Sequence, residues 1–133
     1  MTVMLDTNII ISAGIFGASH FSELTIKIAD KFNIVLSSAI IEELWAVMNR
    51  KFPMKKPILE QFLKRLSYEI SYTPSEIDDE IYPIIRDKKD YPILASAIIA
   101  DVDVFITGDM DFTTVIIERP EIITIAEFER KYF

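Results

Sequence analysis

Short β-branched runs alternate with helical segments along the whole chain, and this alternation restricts the fold more than any other feature of the sequence. The predicted strands are the runs at 2–5, 34–36, 69–72, 104–107 and 122–125. The predicted helices cover 21–31, 38–50, 58–66, 76–85 and a segment that has Pro92 in its first turn and ends near Ala100. Apolar strands separated by helices are typical of a parallel sheet that is covered on both faces. The sequence therefore predicts an α/β fold, a three-layer α/β/α sandwich around a mostly parallel sheet.

The size of the chain predicts a single domain over residues 1–133. No repeat or Gly/Ser-rich linker divides the 133 residues, and they are enough for one hydrophobic core. No run approaches the roughly 20 apolar residues that span a bilayer, and no basic segment of a secretory signal begins the chain. We expect a cytoplasmic protein that is not attached to a membrane.

The residue types present limit the chemistry that is available. There is no cysteine and only one histidine, His20. The absence of cysteine excludes disulfides, thiolate zinc sites and a cysteine nucleophile. Catalysis by a serine and a histidine would depend on His20 alone, without a nucleophile-elbow motif to support it. Carboxylates, hydroxyls, amides and lysines remain as the catalytic groups.

Acidic residues follow two of the predicted strands directly. Asp6 ends the first strand, and Asp109 follows the 104–107 strand after Gly108, with Asp111 two positions further on. An aspartate after a strand is often a helix N-cap or a turn residue, which is the ordinary explanation for each one alone. If both strands are parallel, however, the acids lie at the same carboxyl edge of the sheet, where ligands bind in open α/β folds.

Two further acids come from helical segments. In the 38–50 helix, Glu42 projects about 160° from the centre of the apolar stripe and Glu43 about 100°, so that Glu43 can reach along the sheet surface. Asp90 precedes Pro92 as a plausible N-cap, and Asp87 competes with it. A boundary glutamate paired with a lysine and a simple N-cap are the alternatives for Glu43 and Asp90.

Four carboxylates at one edge of a sheet would raise each other's pKa values and destabilise the fold unless cations compensated them. Mg²⁺ and Mn²⁺ accept oxygen shells made of a few carboxylates and waters, and such ions can promote hydrolysis of a phosphodiester. Asn8 and Thr107 add uncharged groups at the same strand ends, where each could also be a turn residue. The sequence thus favours a site for Mg²⁺ or Mn²⁺.

The net charge of −7 argues against nucleic acid, whose affinity depends on Lys and Arg. The basic residues are nevertheless concentrated in one stretch with a single acid, Glu60, which leaves that stretch at about +5. They are Arg50, Lys51, Lys55, Lys56, Lys64 and Arg65. Either a solvated helical surface or an RNA-binding surface would explain this stretch, and Arg50, Lys51, Lys55 and Lys56 are the candidate RNA contacts.

Four segments in order resemble the motifs of the PIN-domain family, which includes the VapC-type toxins and their relatives. The first is Met4–Ala13, an apolar strand that runs into Asp-Thr-Asn, and the second is Ser37–Leu44, with Glu43 just before the leucine. The third is Asp87–Ala95, with Asp-Lys-Lys-Asp before a helix, and the fourth is Thr107–Phe112, which reads Thr-Gly-Asp-Met-Asp-Phe. No single motif is specific, but the ordered set is.

The resemblance implies a metal-dependent endoribonuclease that cuts single-stranded RNA, as the toxin of a toxin–antitoxin pair. It implies that the catalytic and metal-binding acids are Asp6, Glu43, Asp90 and Asp109, with Asp111 as an occasional further ligand. It also implies that Asn8 and Thr107 give polar support. In many relatives a small antitoxin neutralises the nuclease and the domain forms a homodimer, so both partners are expected here.

Other classes of protein stay open on the sequence. A haloacid-dehalogenase-like phosphatase also begins with a strand and an aspartate, but it needs a general acid where Asn8 stands, and an amide cannot supply that proton. A response-regulator-like module would need a paired early acid and a late lysine. A non-catalytic PIN-like module that binds RNA or protein is the third alternative.

Overall fold

A parallel sheet forms the centre of the molecule, as predicted. The computed structural model describes residues 1–16, 20–75, 91–112 and 115–133. In these residues the strands are β1 (Thr2–Leu5), β2 (Asn33–Ser37), β3 (Tyr68–Ser71), β4 (Val104–Ile106) and β5 (Glu121–Ile123). The strand order is β3-β2-β1-β4-β5, and all four pairings are parallel. Consequently the carboxyl ends of all these strands lie at one edge of the sheet.

Helices cover the sheet and complete the α/β/α sandwich. In the described residues they are α1 (Thr7–Ile15), α2 (His20–Lys31), α3 (Ser38–Lys51), α4 (Lys56–Leu66), α5 (Tyr91–Ile99) and α6 (Ile125–Tyr132), with a 3-10 turn at Pro53–Lys55. Side chains of Asp6, Ser37 and Thr124 accept hydrogen bonds from backbone N–H groups at the starts of α1, α3 and α6. Each cap satisfies a donor that would otherwise have no partner within its helix.

The core lies on both sides of β1, the central strand. Val3, Met4 and Leu5 are fully buried, as the two-sided cover of a parallel strand requires. On one side α1 packs so closely on α4 that a Cβ at Gly14 would lie 3.0 Å from the side chains of Leu59 and Phe62. This contact ties the helix that follows β1 to the helix that precedes β3.

Some predicted boundaries are wrong, and two helices were not predicted. α1 has seven buried residues out of nine and so shows no amphipathic pattern, while α6 is short and begins where we expected β5 to continue. β3 begins one residue earlier than predicted, β4 ends at Ile106 rather than at 107, and α4 begins at Lys56. The predicted helix at 76–85 lies outside the described residues.

Among the described helices, none is by itself long and apolar enough to cross a bilayer. The strongly bent pair of α1 and α2 reaches that length and composition only when the two helices are taken together.

Candidate active site

Asp6 is a buried carboxylate at the junction of β1 and α1, with 6% of its surface exposed. Its Oδ1 accepts a hydrogen bond from the backbone N–H of Thr7 at 2.8 Å, and its Oδ2 accepts one from the Thr107 hydroxyl at 2.7 Å. Burial raises the pKa of Asp6, the two hydrogen bonds lower it, and the negative charge of Asp109 raises it further; the net shift is upward. The two hydrogen bonds therefore hold the buried carboxylate in one orientation, but they do not fully offset the cost of burying its negative charge.

The turn after β4 places Thr107 beside Asp6 and also carries Asp109 and Asp111. The register pairs Leu5 with Ile106, so that the residues after the two strands are adjacent. Besides donating to Asp6, the Thr107 hydroxyl accepts a hydrogen bond from the Asp109 N–H at 3.0 Å. Asp109 Oδ1 in turn accepts from the Asp111 N–H at 2.9 Å. A chain of hydrogen bonds thus fixes Asp6 and Asp109 relative to each other.

Glu43 lies in the second turn of α3 and is half-buried, whereas Glu42 is exposed. Burial raises the pKa of Glu43, the charge of Asp6 adds to this, Arg50 lowers it and Asp109 raises it. Glu43 is more buried than Glu42, as the helix period predicted, and its role in the site stays a prediction. The electrostatic interactions show that Glu43 lies within range of both Asp6 and Asp109.

The structure says less about the positions of the other predicted site residues. Asn8 is exposed in the first turn of α1. Asp90 and its competitor Asp87 lie outside the described residues. Within the described ranges, no group of three or more carboxylates has the arrangement of a metal site. The joint coordination of a metal by Asp6, Glu43, Asp90 and Asp109 therefore stays a prediction.

The candidate RNA-binding residues lie where α3 ends and α4 begins. Arg50 and Lys51 are exposed in the last turn of α3, Lys55 ends the 3-10 turn, and Lys56 is the first residue of α4. The Lys55 ammonium lies 5.2 Å from the centre of the Phe16 ring. These four residues therefore lie close together along the chain, and their role in binding RNA stays a prediction.

A pair of buried serines near the site escaped the sequence analysis. Ser96 Oγ of α5 lies 2.8 Å from Ser37 Oγ, which itself accepts from the Ile40 N–H at the start of α3. Ser96 Oγ is also 2.6 Å from the carbonyl oxygen of Ile93. The pair connects the start of the helix that carries Glu43 to α5. Ser37 was recognisable as a possible cap, but nothing in the sequence marked Ser96.

The residues present suit a hard divalent cation. Asp6, Glu43 and Asp109 offer oxygen donors only, and His20 is engaged with Glu129, to which its Nε2 lies at 2.9 Å. Mg²⁺ is commonly held by one or two carboxylates together with waters, so a complete protein cage is not required. The buried Thr7 hydroxyl next to Asp6 has no hydrogen-bond partner in the described part of the chain, and a water of a hydrated ion could satisfy it.

Comparisons with known proteins agree with this geometry. A profile described as PIN domain matches residues 2–111. The fold is similar to a chain in the crystal structure of VapBC2 from Rickettsia felis bound to a DNA fragment from their promoter, with a TM-score of 0.66 and 21% identity over 92% of this chain and 97% of that chain. A search of curated proteins gives no significant match.

The profile match covers most of the chain and includes β1 with Asp6, α3 with Glu43 and the turn with Asp109. The haloacid-dehalogenase and response-regulator alternatives have no comparable support. The chain belongs to the PIN-domain family, a family of nucleases.

Proposed function

We propose that this protein is an Mg²⁺- or Mn²⁺-dependent endoribonuclease that hydrolyses phosphodiester bonds in single-stranded RNA, and that it is the toxin of a toxin–antitoxin pair. The observation that carries the proposal is the placement of three acids: the buried Asp6, Asp109, whose N–H donates to the same Thr107 hydroxyl that binds Asp6, and the half-buried Glu43 on α3. Two of these carboxylates have raised pKa values, and the strongest cause in each is burial. Burying carboxylates that repel each other is costly unless a cation joins them.

The chain's own residues would bind and orient the reacting groups. Asp6 and Asp109 offer oxygens at the ends of two adjacent strands, and Thr107 holds both in place through its hydroxyl. Glu43 approaches from α3, and Asp90 is the fourth acid of the proposal. When bound, the metal supplies Lewis-acid stabilisation of the charge that develops on the phosphodiester.

RNA as substrate and an antitoxin as partner are the finer parts of the proposal. The basic surface at Arg50, Lys51, Lys55 and Lys56 supports a polyanionic substrate. The similar VapBC2 structure is of a complex bound to promoter DNA, which supports a protein partner for this chain. Under this proposal the nuclease is a homodimer that a small antitoxin neutralises.

A cleavage assay on labelled single-stranded RNA and DNA, with and without Mg²⁺ or Mn²⁺, tests the proposed activity. Asp6→Asn keeps an N-cap at α1 but removes the charge, so the far-UV circular dichroism stays unchanged. Its activity should fall by more than the roughly 10- to 100-fold that loss of an outer metal-site partner costs. Full activity of this variant with both metals would contradict the proposal. Stoichiometric phosphorylation of wild type at Asp6 would also contradict it.

A matched pair of variants on α3 provides the control. Glu43→Gln should reduce cleavage strongly, whereas Glu42→Gln, one position away and exposed, should leave it unchanged. Equal losses in the two variants would point to a general effect on α3 rather than to a site residue.

The antitoxin can be tested with the product of a small reading frame next to the gene. When purified together with this chain, that product should suppress RNA cleavage in proportion to the complex formed. Sedimentation of the chain alone should give the mass of two copies, and a single-copy mass would remove the homodimer from the proposal.

A further inference from the structure

An exposed phenylalanine lies beside the basic residues between α3 and α4. Phe16 follows α1 directly and has 56% of its surface exposed. Its ring meets that of Phe52 edge to face, with centroids 5.7 Å apart, and the Lys55 ammonium lies 5.2 Å from its centre. Phe52 is the C-cap residue directly after α3. The contacts hold the Phe16 ring in place while leaving much of it open to solvent.

This ring lies at the far end of the two helices that begin at the site. Asp6 caps α1 and Ser37 caps α3 at neighbouring strand ends, and Phe16 and Phe52 meet where the same helices end. The two helices therefore run side by side in the same direction. At a rise of about 1.5 Å per residue, Phe16 lies some 15 Å from Asp6. A few nucleotides of single-stranded RNA can span that distance.

Arg50 lies on α3 between Glu43, near the site, and Phe52, near the aromatic rings. It follows Glu43 by seven residues on α3, which is close to two helical turns, so both project from nearly the same face. Its position in the last turn of α3 places it near Phe52 at the aromatic end.

We propose that Phe16 stacks on a base of the single-stranded RNA substrate, a few nucleotides from the cleaved bond, while Arg50 and Lys55 contact the intervening phosphates. The inference rests on the proposed function and names how that site holds its substrate. An aromatic face beside cations is the combination with which proteins bind single-stranded nucleic acid.

The charge around the ring favours RNA over a protein segment as the occupant. No acid occurs between Glu43 and Glu60, and that interval contains Arg50, Lys51, Lys55 and Lys56, although the whole chain carries −7. A purely apolar ligand would gain nothing from four cations. A strand with one negative charge per nucleotide and a flat base on each sugar matches both features of the surface.

RNA containing single abasic sites tests the stack. The probe is a fluorescein-labelled single-stranded RNA of about 12 nucleotides that wild type cuts, with the base removed at each position in turn. Binding is measured by anisotropy in the cleavage-deficient Asp6→Asn background. Phe16→Ala should weaken binding of the intact RNA roughly 5- to 100-fold. With Phe16 present, removing the base at one particular position should lower the affinity for RNA. In Phe16→Ala, removing the same base should have no further effect on affinity.

Two further substitutions at Phe16 separate stacking from folding. Phe16→Leu keeps an apolar side chain without an aromatic face and should bind RNA as weakly as Phe16→Ala, whereas Phe16→Trp should bind as tightly as phenylalanine. Phe133→Ala is the matched control, because Phe133 is also exposed and has the Lys31 ammonium 5.1 Å from its ring centre. This control should leave RNA binding unchanged.

The outcomes distinguish this inference from the proposed function. If wild type cuts RNA but Phe16→Ala and Phe16→Leu bind it as Phe133→Ala does, the stack is refuted and the surface belongs to a different partner. A loss of affinity that is the same for every abasic position would also refute it. If wild type cuts no RNA under any metal condition, the proposed function itself fails.

Discussion

Asp6 is both a helix cap and an acid of the proposed site, two explanations that the sequence presented as alternatives. Its Oδ1 caps α1, which is the ordinary explanation for an aspartate after a strand. Its Oδ2 accepts from Thr107 in the hydrogen-bond chain that reaches Asp109. The cap fixes the carboxylate at the edge of the sheet, so the structural role provides the geometry that the chemical role needs.

The raised pKa of Asp6 predicts that its charge destabilises the metal-free fold. Between the ordinary and the raised pKa the folded protein binds more protons than the unfolded chain, so the free energy of unfolding falls as pH rises through that window. Asp6→Asn should therefore melt at a higher temperature than wild type at neutral pH in EDTA. Mg²⁺ or Mn²⁺ should raise the melting temperature of wild type but not that of the variant.

Asp103→Asn is the control of opposite sign. Hydrogen bonding from the Thr2 N–H lowers the pKa of Asp103, so its charge contributes stability above the ordinary pKa that is lost as pH falls through the lowered one. At neutral pH this variant should melt below wild type and respond to metal as wild type does. Thermal scans of both variants that shift in the same direction would contradict the assignment.

Thr107 is expected to matter through its hydroxyl alone. Thr107→Val keeps the shape but removes the donor to Asp6 and the acceptor for Asp109, and it should lower RNA cleavage roughly 10- to 100-fold. Thr107→Ser should restore most of the activity. Thr124→Val removes a helix cap instead, and it should cost about 1 kcal/mol of stability without changing cleavage by the folded protein.

α1 links the site to the rest of the molecule. It begins at Asp6, is buried along most of its length and packs on α4 at Gly14. Glycine is there because of this close approach, since it lies within a helix, where alanine is intrinsically better by about 1 kcal/mol. Movement of α1 would shift the cap residue and therefore the carboxylate.

Gly14→Ala should consequently destabilise the fold despite the better helix propensity. Its Cβ would lie 3.0 Å from Leu59 Cδ1 and from the Phe62 ring, and overpacking of this kind costs about 1–3 kcal/mol. After subtracting the gain in helix propensity, we expect the free energy of unfolding, measured in urea, to fall by up to about 2 kcal/mol. Ser12→Ala, at an exposed position of the same helix, should be neutral or slightly stabilising.

The elements that could be predicted from the sequence are those whose burial pattern is simple. β1, β2 and β4 are apolar on both faces, and the period of α3 distinguished Glu43 from Glu42. α1 could not be predicted in this way, because a helix buried on most sides has no polar face. The proximity of Glu43 to Asp6 and the contact between Ser96 and Ser37 depend on how α3 and α5 pack, which no local pattern specifies.

At the level of the whole molecule, the distribution of charge matters more than its sum. The chain carries −7, but part of that charge belongs to the acids of the proposed site, which a bound divalent ion would neutralise. Of the cations between α3 and α4, Arg50 lies in the last turn of the helix that carries Glu43, and Lys55 lies against the Phe16 ring. Under the proposed function, an acidic protein would present a basic track for RNA beside an acidic site for metal.

Replacing Lys51, Lys55 and Lys56 by serine should therefore weaken RNA binding and flatten its salt dependence. Each phosphate contact in a single strand contributes about −0.7 to the slope of log K against log salt, so the slope should fall by up to about 2. The matched control replaces Lys27, Lys31 and Arg130, which are exposed on α2 and α6, and changes the net charge equally. Anisotropy titrations over a range of salt should show an unchanged slope for that control. Equal slopes in the two triple variants would mean that RNA senses only the total charge of the protein, and the track between α3 and α4 would then be an ordinary solvated surface.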